Sequence, residues 1–330
     1  MKKSLAKKIA MSGPLIGLAL VIVLFAVTCH LLDIPGFATF YNAKTILTQT
    51  VIVGTAALGM SFVVISGGID LSVGSQVALC TVVTATLLNT LGGGADATSL
   101  GIVIPLLAAL GGIGACAVCG VANGLLVSKL KIVPFIVTLG MMQIARGVAK
   151  WVGNETTVMT PPNWLQDLMA VDPEPGWLVF APGVWIMLVL LVAAAVSLRY
   201  TVFGRYTFAI GSNEQTARLC GVNVELRRIL IYTLCGIMTG VAGVMQYGNL
   251  NVGDPTAAKG MELDIIAAVV IGGGSLNGGE GGALGTLVGA LIMAVLRNGC
   301  NMVGIPNYVQ DIIIGSIIIG AVAVDRLKHR

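Results

Sequence analysis

Along this chain, long continuous apolar runs alternate with short polar connections, and no stretch shows the two-residue alternation of a half-buried strand. Leu15–Val27, Leu178–Leu198 and Ile312–Val324 run almost without polar interruption. A membrane-spanning helix needs ~20 mostly apolar residues, because lipid offers the backbone no hydrogen-bond partner, whereas barrel strands read as ~10-residue alternating segments. The pattern therefore predicts an all-α integral membrane protein: a polytopic bundle of about ten transmembrane helices with broken, glycine-rich segments, forming one domain over residues 1–330. The expected spans are 12–32, 45–66, 71–91, 100–127, 132–152, 178–198, 229–248, 262–280, 282–303 and 306–324. The eighth is the weakest, since its apolar part is only Ile265–Ile271.

Composition sharpens this. Hydrophobic residues make up 56% of the chain and charged residues 10%, against about 25% charged in soluble domains. Mean hydropathy is +0.93. A water-soluble globular domain is excluded, and so is disorder, given a net charge of only +4. The first apolar run is too long for a signal peptide and no A-x-A-like site follows it, so it is expected to stay as the first helix.

Charge then sets the orientation. With the N-terminus in the cytoplasm, the inner side holds Lys2, Lys3, Lys7, Lys8, Lys129, Lys131, Arg199, Arg205, Arg218, Arg227, Arg228, Arg326, Lys328 and Arg330. That is fourteen of the nineteen basic residues, and the reverse topology would invert the bias, so both termini are placed inside. Residues 153–177 carry four acids, Trp164 and Trp177 but no basic residue, and are expected to form an outer loop with an interfacial aromatic belt. Residues 199–228 carry five arginines and form the main inner loop.

Glycine is about twice as frequent as its usual ~7%, at 44 residues. Gly120/Gly124, Gly236/Gly240 and Gly281/Gly285/Gly289 have the spacing that lets helix backbones approach closely. Two clusters differ by interrupting spans: VVISGGIDLS from Val63 and VVIGGGSLNGG from Val269. Both begin V-V-I-x-G-G, 206 residues apart, which suits a parallel internal repeat. Broken helices free backbone groups that membrane proteins tolerate only against protein or a water-lined cavity, so paired breaks point to a translocation path; tight cytoplasmic turns are the alternative. Acidic residues at membrane depth are costly and usually functional, but Asp70, Glu262, Asp264 and Asp311 fall at segment ends. Arg146 lies two-thirds through its span, where it is expected to reach outward. Cys116 and Cys119 form a CxxC inside an apolar stretch, and His30 and His329 are isolated, so packing rather than metal binding is expected.

The chain contains no GxxxxGK[ST], HExxH or GxSxG, so it neither binds ATP through a P-loop nor offers a familiar catalytic constellation. Residues 201–221, TVFGRYTFAIGSNEQTARLCG, followed by VNVELRR, resemble the inner loop of permeases of sugar ABC importers, the ribose/xylose/arabinose/galactoside branch. ISGGIDLSVGS (65–75), ANGLLVSKLKIVPFIVTLGMMQIARG (122–147), GMELDIIAAVVIGGGSLNGGEGG (260–282) and AVAVDRL (321–327) agree with the same family, in order. Glu280 departs from it, standing where a small or basic residue is expected.

The resemblance implies a non-catalytic permease in the plasma (inner) membrane of a prokaryote, moving a sugar inward by ATP-driven alternating access. Implied partners are cytoplasmic ABC ATPase subunits, an extracytoplasmic sugar-binding protein and a second permease copy or paralogue forming a dimer; no nucleic acid is expected. ATP and Mg would be bound by the ATPase, and no cofactor or metal by this chain. The resemblance also implies a short cytoplasmic helix seated in a groove of the ATPase, placed at Ser212, Asn213, Glu214, Gln215, Ala217, Arg218, Leu219 and Gly221, with Ala217 and Leu219 as apolar contacts. The outer docking surfaces for the binding protein are expected at 153–177 and 249–261. For an uncharged sugar the path residues are expected to be Ser66, Asp70, Ser72, Asn123, Glu262 and Asp264. A non-sugar cargo such as a nucleoside or polyol stays open. An ion-coupled carrier would need titratable groups at mid-span, and none is clearly placed there.

Overall fold

The computed structural model describes residues 2–93, 100–174, 176 and 178–328, with side chains between Gly13 and Ala323. Residues 94–99, Trp177 and His329 lie outside the described residues. The helices are α1 (Lys2–Leu31), α2 (Phe40–Ile65), α3 (Val73–Gly92), α4 (Val103–Lys129), α5 (Pro134–Val152), α6 (Pro182–Tyr200), α7 (Val202–Ser212), α8 (Glu214–Leu219), α9 (Val224–Leu250), α10 (Met261–Ile271), α11 (Ala283–Val303) and α12 (Asn307–Lys328). Two strands, β1 (Val158–Met159) and β2 (Val252–Gly253), pair antiparallel.

Among the described residues, seven helices are long and apolar enough to cross a membrane: α2, α3, α4, α6, α9, α11 and the Gly13–Leu31 part of α1. The count of about ten divides at the other three. α5 has 19 residues but carries Arg146 and Lys150, and the described apolar part of α12 is Asn307–Ala323. α10 has only 11 residues, about 16 Å at 1.5 Å per residue, or half a ~30 Å hydrocarbon core. The expected span 262–280 is thus a half-helix. It stops where Gly272-Gly273-Gly274 leaves the helical path, with Gly273 at φ +93°.

Burial orders the bundle. The apolar window of α2 is 89% buried and that of α1 only 11%, so α2 is the central rod and α1 an outer one. α4 and α9 interlock through the glycines their spacing singled out. A Cβ on Gly124 would lie 2.6 Å from the Ile229 Cα, and one on Gly240 would lie 2.7 Å from the Ile113 Cα. Close approach of bare backbone gives dispersion contact where lipid supplies no hydrophobic drive between helices. Gly285 and Gly289 serve α11 against α10 in the same way, while Gly281 lies in the turn before α11. Hydroxyls inside apolar helices bond back to their own backbone: Thr50 to the Ile46 carbonyl and Thr233 to the Ile229 carbonyl, both at 2.7 Å.

The two long connections opposite α8 are less open than their composition suggests. Residues 164–169 form a 3-10 turn whose Leu165, Leu168 and Met169 are buried. The β1–β2 pair ties that loop to residues 252–253. Residues 253–258 run down into the bundle beside α3, where Asp254 N donates to Thr81 Oγ1 at 3.3 Å. Arg146, expected to reach outward, is bound by this same connection. Its Nη1 donates to the carbonyls of Pro255 at 2.9 Å and Ala257 at 2.7 Å, because these carbonyls have no helical or strand partner and the guanidinium supplies one. Only part of 249–261 is therefore free as an outer surface. Cys116 is buried and its Sγ donates to the Gln76 carbonyl, a packing role.

Candidate functional site

The inner loop folds as two helices, where one continuous helix over Ser212–Gly221 was expected. Ser212 closes α7. Asn213, with extended backbone, breaks the path and caps α8 by accepting from Thr216 N at 2.9 Å. α8 is a six-residue helix containing Glu214, Gln215, Ala217, Arg218 and Leu219. It ends at Cys220, and Gly221 at φ +82° turns the chain, its N–H bonding the Arg218 carbonyl.

An ion network fastens this short helix to α9. Glu214 accepts from Arg218 at 2.9 Å within α8 and from Arg228 of α9 at 2.6 Å, and Arg218 also lies 3.7 Å from Glu225. Partial burial pushes the Glu214 pKa up, but the Arg218 hydrogen bond and the two guanidinium charges outweigh it and hold the carboxyl below its ordinary value. Ala217 is not a free contact: it is buried against Ile210 and Val224. Leu219 is 89% exposed, the one large apolar side chain that α8 presents outward.

The two glycine breaks meet directly behind this loop. At the end of α2, the N–H groups of Ser66, Gly67 and Gly68 bond the carbonyls of Phe62, Val64 and Val63. At the end of α10, those of Gly272, Gly273 and Gly274 bond the carbonyls of Ala268, Val270 and Val269. The bonding is identical at an offset of 206 residues, so the repeated V-V-I-x-G-G letters encode a repeated helix stop of the kind that ends on a left-handed glycine. The turns are also bonded to each other, Gly279 N donating to the Ile65 carbonyl at 2.8 Å. Gly211 of α7 lies against both: a Cβ there would collide with the Ile65 oxygen and stand 2.6 Å from Gly279 N. α7, which leads into α8, therefore rests by bare backbone on both interrupted helices.

Asp70, Ser72 and Asn123 come together as expected, but in a sealed network. All three are fully buried, as is Gln76. Asp70 Oδ1 accepts from Ser72 N at 2.9 Å and from the Ser72 hydroxyl; Asn123 Nδ2 donates to Asp70 Oδ2 at 3.3 Å; and Gln76 Nε2 donates to Ser72 Oγ at 2.7 Å. This network anchors the α2–α3 break to α4. Ser66 is buried too, its hydroxyl spent on the Val63 carbonyl. Glu262 and Asp264 occupy the first turn of α10, where acidic charge complements the helix dipole. Glu262 packs against Gly74 of α3.

Asp264 belongs to a different place. Its Oδ2 takes Arg297 Nη2 at 2.7 Å and Nε at 2.9 Å, and both residues line a cavity of about 370 Å³ at the end of the bundle away from α8. Sequence reasoning passed over Arg297, Gly211 and Arg228. Nothing local marks them, since each matters only through a partner at least 14 positions away. Among the described residues no group of three or more His, Cys, Asp or Glu is placed to hold a metal.

Apolar rods with paired glycine stops, braced against an exposed loop helix, define a polytopic helical permease. The chain belongs to the family described as "Branched-chain amino acid transport system / permease component", whose pattern matches residues 42–322. It is 40% identical over 301 residues to the ribose import permease protein RbsC of Escherichia coli (strain K12), covering 89% of this chain and 88% of that protein. It is 36% identical over 324 residues to RbsC of Bacillus subtilis (strain 168), covering 96% and 92%. It is 35% identical over 308 residues to the L-arabinose ABC transporter permease protein AraH of Azospirillum brasilense, covering 93% and 86%. No solved structure matches it.

Proposed function

We propose that this chain is the membrane-spanning subunit of an ABC importer that carries a monosaccharide into a bacterial cell. Seven membrane-length apolar helices among the described residues, and relatives described as ribose and arabinose permeases, support that reading. The observation that carries the coupling is the placement of α8: a short, capped helix with Leu219 outward, braced through Gly211 on both interrupted helices. The 201–223 end faces the cytoplasm, in line with the basic residues of the inner loop. Leu219, Gln215 and the exposed edge of the Glu214–Arg218 pair meet a groove of a separate ATPase subunit. ATP and Mg are bound and hydrolysed there, not by this chain.

When the paired ATPases close, α8 is displaced. α7 carries that displacement to the turns at Ile65–Gly68 and Gly278–Gly279, where each helix already lacks a continuous ladder and a change of backbone direction breaks few bonds. The Asp70–Ser72–Asn123 network keeps the start of α3 rigid against α4, so the movement is delivered as a tilt and not lost as local melting. A second copy or paralogue completes the transporter, and a binding protein docks at the opposite end. A nucleoside or polyol cargo remains the second reading, because these residues recognise no particular hydroxyl pattern.

Mild-detergent isolation of the tagged chain from native membranes tests the assignment. Recovery of a Walker-motif ATPase with it is the expected result. Recovery of the chain alone, from membranes that still take up sugar when only an ion gradient is supplied, would replace the importer with an ion-coupled carrier.

A further inference from the structure

The cavity between α2, α9, α10 and α11 has a volume of about 370 Å³, at the low end of the ~300–1,000 Å³ range of small-molecule sites and suited to one small ring. Its floor is the first turn of α10, which begins part-way through the bundle because α10 is a half-helix. There the Asp264–Arg297 pair is only partly used. The Nε hydrogen bond and the close Nη2 contact both go to Asp264 Oδ2, and Nη2 also lies 3.8 Å from Asp311 Oδ1, while Asp264 Oδ1 and Arg297 Nη1 make no hydrogen bond within the described fold. Gln49 and Asn249 line the same space, are exposed, and have amides that no side-chain bond engages.

This set is both donor and acceptor: a carboxylate accepts, a guanidinium donates, and an amide does both. A hydroxyl has the same double character. Vicinal hydroxyls therefore satisfy such a floor, whereas an anion would meet Asp264 and a cation Arg297. Asp264 and the exposed Asp311 share Arg297, and with Lys259 on the lining the two acids and two bases leave no net charge at the site. Ile52, Val53 and Met293 form an apolar wall on which the C–H face of a ring can lie.

We propose that this cavity is a binding site for one neutral monosaccharide within a single permease chain, with the Asp264–Arg297 pair as its hydrogen-bonding floor. The inference rests on the importer reading and adds the site to it. The site holds sugar weakly, because Gln49 and Asn249 are open to water and the Asp264–Arg297 pair, whose carboxylate is buried, need not separate to receive it. A carrier that accepts cargo from a tight binding protein and releases it on the other side needs such a site.

The test uses the whole transporter in proteoliposomes. Ala258→Cys, on the lining but outside the hydrogen-bonding set, is introduced on a Cys220→Ser background, since Cys220 is the one exposed native thiol among the described residues. Its modification by a neutral methanethiosulfonate is timed with D-ribose, L-arabinose, D-xylose or D-galactose, using whichever sugar the vesicles import. At twice the half-protecting concentration, labelling slows about threefold by mass action. Arg297→Met abolishes the protection and Gln49→Ala shifts it to several-fold higher sugar. Unchanged labelling in vesicles that import the sugar, protection undiminished in both variants, or protection by ribose 5-phosphate alone would each overturn this site while leaving the importer intact. Wild-type vesicles that import no sugar when supplied with ATPase, binding protein and ATP would overturn the importer reading, and this inference with it.

Discussion

Replacing Gly211 with alanine adds one methyl group at the point where α7 meets both interrupted helices. That methyl collides with the Ile65 carbonyl oxygen and stands 2.6 Å from Gly279 N, the donor that bonds this same oxygen at 2.8 Å. Both obstacles are backbone, so no rotamer change relieves them, and α7 must lift by about an ångström. Overpacking of this kind costs roughly 1–3 kcal/mol. A buried backbone pair left unmade adds about 1–3 kcal/mol. A conformational equilibrium moves tenfold for every ~1.4 kcal/mol. If the contact exists in one transport state and is remodelled in the other, the summed cost of about 2–6 kcal/mol shifts their balance by roughly one and a half to four orders of magnitude. The assay is sugar uptake by proteoliposomes containing the full transporter, with ATP hydrolysis measured in parallel. Uptake should fall at least about tenfold, by that arithmetic, while hydrolysis persists. Gly282→Ala is the control: it lies in the same loop with extended backbone, and a Cβ there meets nothing within 4 Å. Uptake by Gly211→Ala within twofold of wild type, with Gly282→Ala also normal, would refute the idea that this contact transmits motion.

Gly221→Pro removes the N–H that closes α8 and forbids the positive φ that the turn requires; uptake and co-purification of the ATPase should both be lost while membrane insertion is kept, as scored by pull-down. For Glu214, the folded pKa is held below its unfolded value, so its contribution to the α8–α9 brace is present above the unfolded pKa and is lost as pH falls through the folded one. Hydrogen exchange of α8 amides, corrected for intrinsic rate, should hold steady from pH 7 to 5 and quicken only below about 4.3; Glu214→Gln should quicken it at every pH. Arg146→Met leaves the Pro255 and Ala257 carbonyls without their donor, and each bond to a charged group contributes roughly 1.5–3 kcal/mol. Limited proteolysis within 251–260 should accelerate without loss of the seven long helices. Asp70→Ala strands the Ser72 and Asn123 donors and should lower the detergent melting temperature clearly, whereas Asp70→Asn should cost less, because Asn123 can turn its unbonded Oδ1 toward the new amide.

The helical membrane architecture was legible because lipid imposes a one-dimensional rule: each span must be apolar and must satisfy its own backbone. That rule, applied to runs such as Leu178–Leu198, needs no partner. The glycine spacings of α4 and α9 were legible for a related reason, since helix periodicity puts Gly120/Gly124 and Gly236/Gly240 on single faces, and those faces meet. The V-V-I-x-G-G stops likewise act locally, each by bonds to its own preceding turn. Tertiary structure alone decided the rest. Hydropathy could not tell that α10 is a half-helix, because glycine is nearly neutral to that measure whether it continues a helix or ends it. Arg146 was read two-thirds of the way along its span, but its partners are carbonyls 109 and 111 residues away, which no local pattern announces. Ala217 and Leu219 look equally apolar in sequence, yet the turn at Asn213 points one inward and the other out. A residue's role is written in sequence when its partner is the bilayer or its own helix, and is settled by the fold when the partner is distant chain.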